Sequence, residues 1–320
     1  MTKTLLVILI EVALLFAGCD VIKTNKNGEI ALPYSNYKEV HGVTADEIDV
    51  IESLRAKKTS FVYGMNHSTE TFYDEHGTIK GFSALFCEWL SELFKIPFEP
   101  AIYEKDDLIP GLSSGEIDFT GELRAPEEQK APAGHYHEPY YMTGSIAERS
   151  VRVMRLSAGV PLSEIAASRP LKYAFMQDTA IVDDTLPAAS RKFEVTIVFD
   201  YDTAYTLLKN GEIDGFVGEN VTESAFDAYY DVIAEDFLPI IFNPVSMATQ
   251  NKEFASVVSV VQKVLDKDGI QYFTELYKRG YREYLLHKLS VQLTDKEHEY
   301  IKNRKLRHCL REARLKAHIF

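Results

Sequence analysis

The chain has 320 residues, 46% of them hydrophobic and 26% charged, with a formal net charge of −13. That is the composition of a folded globular protein long enough for two lobes of about 100–150 residues each. The acidic balance argues against a nucleic-acid partner, because binding phosphates needs a basic surface.

The N-terminus departs from this picture. Lys3 precedes the almost wholly apolar run Leu5–Phe16. That run is too short to span a bilayer and fits a signal peptide. Ala17 and Gly18 are the small residues a signal peptidase requires, and Cys19 follows at once. The arrangement resembles a bacterial lipobox, in which the thiol is lipidated, although Phe16 stands where Leu is usual and Glu11 charges the apolar run. Residues 1–19 are therefore expected to be a lipoprotein signal peptide, with an ordinary secretory signal and an incidental Cys as the alternative. Both imply export. Residues 20–56 are polar and rich in Asn, Lys and Gly at their start, and read as a tether.

Folded elements are predicted next. Thr59–Met65 reads as a buried strand, and Gly77–Phe82 as a second, shorter one. Ser83 stands where a helix cap belongs, ahead of Leu85, Phe86, Trp89, Leu90, Leu93 and Phe94 at helical spacing. Ile96–Tyr103 is a strand. Asp106 or Asp107 caps a helix with Pro110 in its first turn, ended by Gly115. The segment "IDFTG" is the next strand. The second half uses the same grammar: "LKYAFMQDT" is a strand and turn, "VTIVFD" a strand, and Asp202 or Thr203 caps a helix that Gly211 stops before the strand "IDGFVG". Late in the chain, Phe254, Val257, Val258, Val261, Val264 and Leu265 form one helical stripe, broken at Asp268-Gly269. Another amphipathic helix follows. Of the three cysteines, Cys87 reads as a small buried hydrophobe. No disulfide framework and no zinc spacing are present, and no metal or cofactor is expected.

One phrase occurs twice. "LSSGEIDFTGE" begins at Leu112 and "LKNGEIDGFVGE" at Leu208. Each copy ends a helix at Gly and carries Glu to the far end of a short strand. Alternating strands and helices imply an α/β protein with mostly parallel sheets. Ligands bind such sheets beyond the C-terminal strand ends, where Glu122 and Glu219 stand.

The ordered set of motifs resembles the type 2 periplasmic solute-binding proteins, specifically the family 3 group that mostly carries polar amino acids. "FYDEHGTIKGFSALFCEWLSELF" is similar to that family's hairpin, Gly-Phe and helix. "LIPGLSSGEIDFTGELRAPEEQK" is similar to its helix, Gly-x-Ile-Asp strand and Thr-Pro-Glu-Arg loop. "HEPYYMTGS" resembles its approach to the hinge, and "LLKNGEIDGFVGEN" the strand ending in an amine-binding carboxylate. The resemblance implies a two-lobe type 2 periplasmic binding protein fold, each lobe a mostly parallel sheet flanked by helices. Lobe 1 would be 57–145 plus 243–288, and lobe 2 would be 146–242, with a ligand cleft between them. It implies ligand contacts from Tyr63 and Phe72 as aromatic walls, from Gln177 and Thr179 in the lobe 2 loop, and from Glu219 to a ligand ammonium. Glu122 is a second carboxylate. The family has Asp where Ser83 stands and a carboxylate-gripping Arg where Glu128 stands. Arg124 would substitute for that Arg if the loop is re-registered, and otherwise is a solvated loop charge.

Residues 289–320 end in a tail with seven Lys/Arg and one Glu after Ile301. They read as a basic membrane-surface tail or as the start of a truncated further module, since "LTDKEHEYI" resembles the lead-in to a second sensor module in multidomain receptors. The expected function is binding of a small polar solute, an amino acid or related amine, by hinge closure. The expected partners are an ABC transporter permease or a receptor, the expected anchor is lipid, and a monomer is expected. The alternative is a dehydratase- or lyase-like enzyme using Glu122 and Glu219 as acid and base.

Overall fold

A computed structural model describes residues 34–123, 140–177, 179, 181–188, 192–294 and 296–297. Cys19, Arg124 and Glu128 and most of the basic tail lie outside the described residues.

After strand β1 (Phe61–Asn66) comes the small hairpin of β2 (Phe72–Tyr73) and β3 (Ile79–Lys80). Strand β1 pairs in parallel with β4 (Phe98–Tyr103) on one side and β5 (Phe119–Thr120) on the other. Further on, β7 (Leu171–Met176) pairs in parallel with β8 (Phe193–Val198) and β9 (Gly215–Glu219). These two parallel groups repeat one arrangement. They are joined by β6 (Tyr141–Leu156) and β11 (Phe242–Thr249), which run antiparallel to each other. The resulting order is β4-β1-β5-β11-β6-β9-β7-β8, with β10 (Val232–Asp236) paired to β6. At 16 residues β6 is about 50 Å long and serves both halves. This is the two-lobe α/β architecture, with lobe 1 built on β4-β1-β5 and lobe 2 on β9-β7-β8.

Side-chain alternation fills both faces of the lobe 2 sheet. Met154, Ala174 and Phe216 point into a core with Leu208 and Phe226, while Val153, Tyr173, Phe175 and Val217 point into another with Phe237. Lobe 1 is an aromatic core: Phe61, Phe86, Trp89, Phe119, Phe254 and Phe273 are all buried in one cluster.

The repeated phrase is a structural device. Gly115 and Gly211 sit at φ 79° and 71° and close helices α3 (Lys105–Ser114) and α6 (Tyr201–Asn210). Ile117 and Ile213 are then buried. Asp118 accepts from Val62 N at 2.9 Å, and Asp214 accepts from Lys172 N at 2.8 Å. Each carboxylate also pairs with a cation just before its neighbouring strand, Lys58 in one lobe and Arg169 in the other. The phrase therefore docks its own strand onto the start of the first strand of each lobe.

Several sequence expectations are corrected. Residues 34–56 are folded, not a tether. Helix α1 (Ala45–Lys57) starts with a capping box between Thr44 and Glu47, and Tyr37, Val40, Ile51 and Leu54 enter the lobe 1 core. Ser83 is not a cap: helix α2 (Phe82–Phe94) has Gly81 at its N-cap, and the Ser83 hydroxyl hydrogen-bonds Thr71 at 2.6 Å. Helix α3 is preceded by Glu104, the short α4 (Leu162–Ser168) comes next, and α6 is capped by Asp200. Asp268-Gly269 does not end a helix. Leu265–Gly269 forms a wider π turn that carries α7 (Ala255–Val264) into α8 (Ile270–Gln292).

Helix α8 reaches the interlobe region because it lies flat on lobe 1. A methyl group on Gly280 would stand 2.3 Å from Phe82 N, so only a glycine allows this approach at the start of α2. Gly81, at φ 99°, is equally confined, with its missing Cβ 2.4 Å from the carbonyl oxygen of Glu70.

Candidate functional site

Strand alternation places Arg149 of β6 on the inner side where the strand passes between the lobes, and the residue is 8% exposed. Its guanidinium collects carboxylates from both lobes. Nε donates to Glu70 Oε1 at 2.9 Å and Nη2 to Glu70 Oε2 at 2.6 Å, a two-pronged pair. Nη1 donates to Glu122 Oε2 at 3.0 Å and lies 3.5 Å from Glu219 Oε2. Glu70 and Glu122 belong to lobe 1, from the loops after β1 and β5. Glu219 ends β9 in lobe 2. Burial alone would lower the Arg149 pKa, but Glu122 and Glu70 beside it raise it well above its usual value.

The carboxylates are held in turn. Asn243, paired with Arg149 across the β6–β11 ladder, donates to Glu219 Oε1 at 2.7 Å. Asn66 N donates to Glu122 Oε1 at 3.3 Å. Glu70 receives the Tyr277 hydroxyl at 2.8 Å, and its loop is tied to helix α2 by Ser83 N donating to Glu70 O at 3.1 Å. Burial pushes the Tyr277 phenol well above its usual pKa, which keeps it a donor. Three carboxylates thus face one guanidinium, a formal excess of two negative charges in a low-dielectric site.

A second set of contacts crosses between the lobes. Tyr277, Tyr281, Tyr284 and Lys288 share one face of α8. Asn220 Nδ2 donates to the Tyr277 hydroxyl at 2.9 Å. The Tyr281 hydroxyl donates to Glu223 at 3.1 Å, and Tyr284 donates to Asp227 at 2.7 Å, which also pairs with Lys288 at 2.7 Å. Asn220, Glu223 and Asp227 lie in and just after the 3-10 stretch that follows β9. Two cavities flank this helix. One of about 490 Å³ opens between β6, Phe242 and Tyr281, and one of about 580 Å³ lies between Phe72, His76 and His287. Neither is lined by Arg149 or its three carboxylates.

The structure brings Glu122 and Glu219 to one nitrogen of Arg149. Tyr63 is buried in the lobe 1 core with its ring edge-on to Phe86 at 5.7 Å. Phe72 packs against Tyr284 and His287, at 5.7 and 5.0 Å between ring centroids. Gln177 is exposed, and Thr179 accepts from Ile181 N at 3.4 Å at the start of helix α5 (Ile181–Ala188). None of these four hydrogen-bonds the Arg149 cluster among the described residues. Sequence reasoning did not single out Arg149, Glu70, Asn243 or Tyr277. The signal for Arg149 was a charge in phase with the buried Ala147, Val151 and Val153 of "AERSVRV", and its partners are far off in sequence.

No family model matches the sequence, and neither does any curated protein. Solved structures do match. The periplasmic VFT2 domain of Bordetella pertussis BvgS aligns with a TM-score of 0.56 at 15% identity, over 75% of this chain and 99% of that one. An ancestral arginine-binding protein bound to glutamine aligns with a TM-score of 0.49 at 18% identity, over 70% and 98%. The amino acid ABC transporter substrate-binding protein AbpA from Streptococcus pneumoniae, bound to L-arginine, gives 0.49 at 12% identity, over 73% and 98%. At such identities the BvgS likeness shows the fold alone, the two-lobe periplasmic binding protein architecture.

Proposed function

We propose that this protein is an extracytoplasmic binding domain of the family 3 type that takes a small amine-bearing solute between its lobes, for import with an ABC transporter or for signalling through a receptor. Its lobes would be 57–145 plus 243–288, extended by α1, and 146–242. The observation that carries this reading is the convergence of Glu70, Glu122 and Glu219 from both lobes on one guanidinium. The excess negative charge favours a cation over an anion, and Glu219 keeps the position the resemblance assigns to the ammonium partner. Arg149 donates to Glu122 and pairs ionically with Glu219 at 3.5 Å, contacts that support binding over acid–base work by these two carboxylates.

A thermal-shift screen with amino acids, polyamines and small cations tests this, since a solute at 100 times its Kd adds about 2.7 kcal/mol. Calorimetric titration of the hit should then show Glu219→Gln binding about 10- to 150-fold more weakly, the worth of one charged hydrogen bond. A hit that is purely anionic, or equal affinity in the variant, would sink the assignment.

The export reading rests on Leu5–Phe16 and Ala17-Gly18-Cys19. Cells fed a labelled fatty acid should mark the wild type and leave Cys19→Ala unmarked. Equal labelling would reduce the segment to an ordinary secretory signal.

A further inference from the structure

We propose that Arg149 is a built-in occupant of the cleft: its guanidinium supplies from within the chain the cation that draws the lobes together, so closure precedes solute. This rests on the reading of the cleft as a cation site and adds how that site is regulated.

The geometry favours an occupant over an ordinary structural ion pair. A structural pair needs one partner, yet Arg149 uses all three of its guanidinium nitrogens on three carboxylates of two lobes. The two-pronged grip on Glu70 fixes it to lobe 1, and Nη1 is left between Glu122 of lobe 1 and Glu219 of lobe 2. That nitrogen therefore bridges the cleft. Its base is also at the right place. Arg149 lies where β6 crosses between the lobes, so its backbone need not travel with either lobe. Asn243, beside it on the second crossing strand, holds the other oxygen of Glu219. A separate cationic solute would have to bring the same charge to the same oxygens and lose its own freedom in binding. Arg149 is already tethered and meets that cost in folding. Because two negative charges remain in formal excess, a solute amine adds to the cluster instead of creating it. It changes stability more than it changes shape.

The experiment is small-angle scattering on the purified full chain, with the variants R149A and R149Q. Circular dichroism and a cooperative melt establish that each variant is folded. The wild type should keep its radius of gyration when L-arginine is added. Both variants should show a larger radius than wild type. Guanidinium ion at low-millimolar concentration should return R149A towards the wild-type radius and raise its melting temperature, with no such shift in the wild type. Contraction of the wild type on adding L-arginine would overturn the proposal, as would a wild-type radius in a folded variant. Melting of R149A that guanidinium leaves unchanged would overturn it too. If no amine binds the wild type while R149A opens and recloses, the solute assignment fails and this one stands.

Discussion

Glu70→Ala is expected to destabilise the protein by about 3–5 kcal/mol, the cost of stripping one partner from a buried ion pair. Glu70 is 2% exposed and Arg149 8%. Removing the carboxylate deletes both prongs of the pair, takes the acceptors of Nε and Nη2 in a largely buried site, and leaves the Tyr277 hydroxyl the longer contact to Asn220 Oδ1 at 3.4 Å. Glu122 and Glu219 do not compensate, because their oxygens lie at Nη1. Glu122→Ala should cost clearly less, since the two-pronged pair survives it. Urea unfolding of the two variants against wild type makes the comparison. A loss below about 1 kcal/mol for Glu70→Ala would place the pair among surface ion pairs in its energetics, and the buried reading of the cluster would fail.

The contrast between Glu219 and Arg149 shows what one sequence can carry. Glu219 was legible because the phrase "GEIDGFVGE" is local: a glycine stop, a buried Ile, a docking Asp and a strand end lie within a dozen residues. The helical stripes through Trp89 and Val261 were legible for the same reason. Arg149 has no local signature. Its role depends on Glu70, Glu122 and Glu219, which only the sheet order brings to it. Tyr63 and Phe72, expected as aromatic walls, are found packed against other rings. An aromatic beside a strand buries a large apolar ring wherever the core accepts it, and Phe86 and His287 supply that packing here. Helix α1 was missed because charged residues surround Ile51 and Leu54, so that composition outweighed the capping box at Thr44.

That helix carries the last expected result, a loss of stability on acidification to which Glu47 contributes. Burial alone would raise the Glu47 pKa, but hydrogen bonds from Lys263, Ser259 and Thr44 outweigh it and lower the value from 4.5 to about 2. The carboxylate side chain is 14% exposed and joins α1 to α7 through Lys263 and the Ser259 hydroxyl at 2.7 Å. A group whose folded pKa lies below its unfolded one stabilises the fold above the unfolded value. That stability is lost as pH falls from about 4.5 towards 2, and a displacement of this size corresponds to about 3 kcal/mol. Glu52 is also lowered to about 2, by Lys38 first and then Tyr37, but its pair lies in solvent, where screening leaves it little weight. Glu223 runs the other way: burial raises its pKa despite Arg152 and Tyr281, so acid does not cost its contribution. Urea unfolding at pH 7 and at pH 3 should therefore show a drop in the wild type that is smaller in Glu47→Gln, the variant being weaker at pH 7. Asp214, whose burial is outweighed by hydrogen bonds from Arg169 and Lys172 that lower its pKa, keeps its share in both. A variant with the full wild-type pH dependence would assign the acid loss to other carboxylates and leave the α1–α7 clamp without the weight given to it here.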